Sequence, residues 1–203
     1  MNESTHIEHR DYTGAKLGMW LFLFTEILLF GGMFLLYSIY RTTYTADFHE
    51  AAKEMSVTIG AINTVILLTS SLTMALSISA LQRAEKRRSL LFQAVTVVLG
   101  FAFLVNKYFE WTGHIRHGYF PNSPELLTMS HGKVLYFGLY YVMTGIHGLH
   151  VLIGLGVICF TFILTLRGTL SSTDYIKLEN TGLFWHLVDV IWIYLFPLFY
   201  LIT

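Results

Sequence analysis

The sequence holds one cysteine, Cys159, so it can form neither an internal disulfide nor a cysteine-based metal cluster. Proline is scarce as well, at three residues, and two of them, Pro121 and Pro124, share one loop. Charged side chains make up 13% of the 203 positions, too few to coat a soluble domain of this size. Acidic and basic residues balance at 13 each. That balance removes both the basic field of a nucleic-acid binder and the acidic tail of a disordered arm. No repeat, low-complexity tract or long linker interrupts the chain, so a single membrane domain over residues 1–203 is expected.

What the sequence has in quantity is apolar. Hydrophobic residues reach 54% and aromatics 16%, the latter suited to Trp and Tyr anchoring at membrane–water interfaces. A helical crossing takes about 20 largely apolar residues at about 1.5 Å each. Five runs qualify, at about 17–40, 57–81, 90–112, 134–166 and 183–202. The first is too long for a signal-peptide core and has no small-residue cleavage pattern, so it reads as a retained helix. The fourth exceeds one crossing and is expected to tilt or project. In lipid every backbone polar group must be satisfied within its own segment, so all five are expected to be helical. The fold class is an all-α bundle of five transmembrane helices.

Loop charge sets an expected orientation. With a cytoplasmic N-terminus, the inner segments hold Arg10, Lys16, Arg83, Lys86, Arg87, Arg88, Arg167 and Lys177. The outer ones hold Arg41, Lys53, Arg116 and Lys133. The excess of Lys and Arg on one side follows the positive-inside rule and leaves the C-terminus outside. Ser71, Ala75 and Ser79 recur every four residues, a small-residue stripe expected to let a neighbouring helix approach closely.

Ionisable side chains within spans cost about 2.5–3.5 kcal/mol each at the centre, so each needs a partner or a purpose. There are seven: Glu26, Lys107, Glu110, His147, His150, His186 and Asp189. Glu26 falls near mid-membrane, and two readings stand for it: a structural carboxyl bonded to a neighbouring helix, or a proton-exchanging, regulatory acid. His147 and His150 are three residues apart and expected on one face, where further ligands would be needed to hold metal or haem. His186 and Asp189 repeat that spacing, so Asp189 is expected to orient the imidazole. Trp185 and Trp192 fall on the face of Asp189. Together these six form a polar seam satisfied by hydrogen bonds between helices, with no metal expected. Lys107 and Glu110 suit an interfacial ion pair, Lys107 snorkelling outward or meeting a lipid headgroup. His114, His117 and His131 are expected to be solvated.

At these residues the sequence resembles subunit III of the haem–copper cytochrome c and quinol oxidases. The longest matches are Thr144-Gly145-Ile146-His147-Gly148-Leu149-His150-Val151 and Phe184-Trp185-His186-Leu187-Val188-Asp189-Val190-Ile191-Trp192. A third, Phe24-Thr25-Glu26-Ile27-Leu28-Leu29-Phe30, matches the setting of the family's carbodiimide-reactive glutamate. Longer members carry two further N-terminal helices around a phospholipid-filled cleft, which this sequence is expected to lack. Lys107 stands where some members have a carboxylate.

The resemblance implies an accessory subunit with no catalytic residue or redox centre of its own, haem and copper lying in partner subunits. A core of two haems and a copper needs about six membrane histidines, and only His147, His150 and His186 lie in spans here. The implied partners are subunit I, subunits II and IV, membrane phospholipid, and cytochrome c or quinol as electron donor to the complex. The implied location is the bacterial cytoplasmic membrane. A subunit III of a quinol oxidase, or the related protein of a nitric oxide reductase, is the neighbouring alternative. From a different class comes a free-standing proton-coupled transporter, for which no internal repeat or pair of broken helices speaks. A haem b anchor using His147 or His150 with His186 is a third reading.

Overall fold

A computed structural model describes residues 12–202; Arg10, counted above among the inner charges, lies outside them. Seven helices follow in order: α1 (Tyr12–Thr43), α2 (Thr45–Ala52), α3 (Val57–Gln82), α4 (Lys86–Arg116), α5 (Pro124–Leu127), α6 (His131–Arg167) and α7 (Ile176–Tyr200). Five of them, α1, α3, α4, α6 and α7, are long and apolar enough to cross a membrane. Among the described residues there is no strand, only an isolated bridge between Ser171 and Asp174. Three of the long helices, α1, α4 and α6, run past their apolar runs at both ends, because nothing stops a helix at the edge of its hydrophobic stretch. What does stop them is local chemistry.

The turn from α3 to α4 carries Ala84 at a φ of +61°, and α6 ends on Gly168 at +78°, the left-handed cap that glycine adopts without a Cβ penalty. These two turns share one end of the bundle, the hairpin end. There the Lys86 ammonium donates to the Leu166 carbonyl (3.0 Å), a cation on the negative terminus of α6. The opposite end, the cap end, carries α2 and α5. Ser123 opens α5 by accepting from the Leu126 N–H, with Pro124 at the first helical position.

α3, α4, α6 and α7 form the body of the bundle, and α1 lies against α6 and α7. The α3–α4 contact is polar rather than a bare small-residue stripe. Thr73 bonds Thr96 (2.8 Å), Ser77 bonds Ser89 (3.1 Å), and Asn106 donates to Asn63 (2.9 Å). The expected stripe of Ser71, Ala75 and Ser79 does not make this contact. Ala75 is exposed and Ser71 turns toward α7, because the face packed on α4 is the one bearing Thr73 and Ser77.

At the cap end α2 folds down over the bundle and buries Phe48 completely. Phe48 meets Tyr37 and Tyr136 edge to face, with centroids 5.5 and 5.4 Å away, and Tyr37 meets Phe199 at 5.1 Å. Asp47 accepts from the Gly132 N–H (3.2 Å) and Lys133 pairs with Glu50 (2.7 Å), which fixes α2 on α6. α1 is the least enclosed helix. Only Leu23, Phe30 and Tyr37 of it are buried; Met19, Met33, Phe34 and Tyr40 pack against the core in part, and most of its other apolar side chains are exposed.

Candidate functional site

Glu26 is not alone in its helix-to-helix contact. Its Oε2 lies 2.9 Å from Nε2 of His150, joining α1 to α6. The other ring nitrogen, Nδ1, lies 2.8 Å from the Ile146 carbonyl. A carbonyl only accepts, so Nδ1 carries a hydrogen and donates. The contact with Glu26 then holds one proton, either on the carboxyl facing a neutral ring or on the ring facing a carboxylate. Both arrangements are neutral overall, which is how a carboxyl is tolerated at this depth. Phe30 and Phe184 flank the imidazole at 5.4 and 6.2 Å.

The pair lines a hollow of about 510 Å³ between α1, α6 and α7. Its walls are mostly apolar, with Met19, Phe22, Phe160 and Phe184 among them, and Lys177 and Asn180 line it at the hairpin end of α7. Both pair members were legible in the sequence as isolated polar residues. Their pairing was not, because it joins positions 26 and 150 through a helix contact that no local pattern encodes.

His147 and His150 meet different neighbours. Three residues on a helix leave them about 60° apart, and that is enough to turn His147 toward α4 and α7 and His150 toward α1. His147 is fully buried, stacked on Trp192 (5.4 Å, 30°) and edge-on to Phe103 (5.6 Å). Neither of its ring nitrogens has a hydrogen-bond partner. The remaining seam residues divide the same way. Trp185 donates to Ser70 and Trp192 to Thr64, each at 3.0 Å. His186 Nδ1 meets the Ser71 hydroxyl at 2.7 Å. Asp189 does not bond that ring directly; it is buried beside the same Ser71 hydroxyl that faces His186. Of these residues His147 is left without a hydrogen bond, at a cost of about 1–3 kcal/mol. Among the described residues no three His, Cys, Asp or Glu side chains converge as metal ligands would.

Lys107 departs furthest from its expected place. It does not snorkel: it is 7% exposed and points inward. Its ammonium donates to Glu110 Oε2 (3.1 Å), the Tyr140 hydroxyl (3.0 Å) and the Tyr200 hydroxyl (2.9 Å), which uses all three N–H groups. Glu110 Oε1 accepts in turn from Tyr140 (2.7 Å) and from Tyr200. The result is a closed network across α4, α6 and α7, with the cation 5.2 Å from the Trp192 ring. The Lys-x-x-Glu spacing was visible in the sequence, and the two tyrosines that draw it inward were not. His114, expected in solvent, is half-buried beside Tyr140 (5.9 Å) and Phe137 (6.4 Å), whereas His117 and His131 are exposed.

Residues 2–203 match the family model described as Cytochrome c oxidase subunit III. The chain belongs to that family. Cytochrome c oxidase subunit 3 of Synechocystis sp. is 32% identical over 97% of this chain and 78% of its own length. A probable quinol oxidase subunit 3 of Staphylococcus haemolyticus is 29% identical over 99% and 96%. A heme-copper oxidase subunit I+III of Aeropyrum pernix is 30% identical over 97% of this chain, which spans 24% of that longer protein. The Glu26–His150 contact thus belongs to a subunit III fold, where it joins two of the three segments that carried the resemblance, one on α1 and one on α6. The subunit III chain also puts its three span histidines to three separate uses: ring stacking for His147, a carboxyl for His150 and a serine for His186.

Proposed function

We propose that this chain is the accessory, non-redox subunit of a proton-pumping haem–copper oxidase of the cytochrome c type, in a bacterial cytoplasmic membrane. It packs against subunit I, and haem and copper belong to the partner subunits. The observation that carries this reading is the dispersal of the span histidines. No two of them face each other, so the imidazoles that a haem or copper site would require point to different neighbours. The relative named subunit I+III supports the pairing with subunit I, since one chain there holds both parts. Arg83, Lys86, Arg87 and Arg88 cluster at the hairpin end, which supports a cytoplasmic position for that end by the positive-inside rule.

Glu26 and His150 are the proton-exchanging element of this reading. They hold a single proton between two groups, beside an apolar hollow suited to phospholipid chains and to oxygen. Replacing Glu26 by alanine should leave the haem content of the complex intact. It should lower the proton stoichiometry or shorten the catalytic lifetime during turnover. Unchanged values of both in purified complex would make Glu26 a structural residue only.

The quinol-oxidase relatives from Staphylococcus favour a second reading, in which the complex takes electrons from quinol. Turnover of the purified complex separates the two. Under the first reading reduced cytochrome c supports oxygen consumption; oxidation of a soluble quinol with no response to cytochrome c establishes the second.

A further inference from the structure

His186 stands at the rim between α3 and α7 with one ring nitrogen in use and one open. Nδ1 meets the Ser71 hydroxyl of α3 (2.7 Å), and among the described residues Nε2 has no partner. Nε2 is not enclosed, and the residue is partly exposed. Ser71 lies near the middle of α3 and His186 near the middle of α7, which puts the imidazole deep in the hydrocarbon. Lipid chains at that depth offer no hydrogen-bond acceptor, so an open ring nitrogen there is costly until another protein group meets it.

The buried Asp189 carboxyl acts on the same Ser71 hydroxyl from the inner side. Two arrangements keep this trio neutral and leave no carboxyl or hydroxyl hydrogen without an acceptor. In one, the protonated carboxyl donates to Ser71 and the Ser71 hydroxyl donates to Nδ1. In the other, the carboxyl proton has passed to Ser71 and the Ser71 proton to Nδ1, leaving a carboxylate and an imidazolium. Nε2 carries a hydrogen in both, so what it requires is an acceptor.

The surface beside the ring suits the close approach of a helix. One turn along α3 from Ser71, Ala75 is exposed, and Leu68, Leu72 and Val190 present apolar side chains around it. This is the stripe of Ser71, Ala75 and Ser79 that the α3–α4 contact leaves unused, and small side chains let a neighbouring backbone come near.

We infer that this α3–α7 face docks a transmembrane helix of another subunit of the oxidase, which presents one acceptor to His186 Nε2 at mid-membrane depth. The interface rests on the accessory-subunit reading, and adds to it the face and the side chain by which the chain joins its complex.

The test places a photocrosslinking amino acid at Leu72 in the intact complex in its membrane. Irradiation should join this chain to another subunit, and Ala75→Leu, which bulks an exposed position, should reduce that crosslink several-fold. His186→Phe keeps a ring and removes the donor; it should weaken retention of the chain on the complex through detergent washing by roughly fivefold, the effect of one lost neutral hydrogen bond. His186→Gln, whose amide N–H extends to about the place of Nε2, should restore most of that retention. Three results would overturn the assignment: crosslinks from position 72 to lipid alone, crosslinks to a second copy of this chain, or a crosslink and retention unchanged by both Ala75→Leu and His186→Phe. Copurification with haem-bearing subunits in those cases keeps the accessory reading standing, whereas an unsubstituted chain that purifies without them would remove both.

Discussion

Lys107→Met should cost the bundle about 3–5 kcal/mol, more than any other single charge removal in this chain. The substitution is close in length, so little packing is lost. What is lost is the cation paired with Glu110, a residue 7% exposed that would keep the Tyr140 and Tyr200 hydroxyls. A buried carboxylate without its counter-charge must take a proton or open the bundle. The double variant Lys107→Met with Glu110→Leu should recover most of the loss, since replacing both members of a buried ion pair by apolar groups is often close to neutral. Tyr140 and Tyr200, whose hydroxyls are already 3.4 Å apart, can then bond each other. Thermal unfolding of the purified complex, together with retention of this subunit, measures both. A single variant no less stable than the double would show that the network contributes nothing through its charge.

The second large effect concerns Trp185. Its indole is gripped edgewise between Gly100 of α4 and Gly154 of α6, and its N–H reaches Ser70 of α3 at 3.0 Å. A Cβ on Gly154 would stand 2.8 Å from one ring carbon of Trp185, and a Cβ on Gly100 would stand 2.8 Å from another. Gly154→Val therefore forces the ring out of its slot. Overpacking of this kind costs about 1–3 kcal/mol, and the broken bond to Ser70 adds about 1 kcal/mol. Two-to-four kcal/mol in all, about, is the expected loss. Tryptophan fluorescence should shift as the indole leaves its buried position, and adding Trp185→Phe should restore part of the stability. Full stability of Gly154→Val alone would mean the three helices do not depend on this close approach.

Both predictions rest on residues that the sequence displayed but did not connect. Lys107 and Glu110 announced an ion pair by their spacing. Whether that pair faced lipid or core depended on hydroxyls from α6 and α7, 33 and 93 positions beyond Lys107. The same holds at Glu26, where the cost of a mid-membrane carboxyl demanded a partner and only the packing of α1 on α6 supplied it.

The sequence by itself determined the five membrane helices, because hydropathy and backbone hydrogen bonding in lipid act segment by segment. It also showed which side chains were too polar to be indifferent to that setting. Tertiary structure decided where each of them points. A membrane helix is apolar around most of its circumference, so its pattern carries little record of which face meets a neighbour and which meets lipid. His147 and His150 show the consequence. They are one motif in the sequence, yet in the fold one is stacked on Trp192 and the other paired with Glu26.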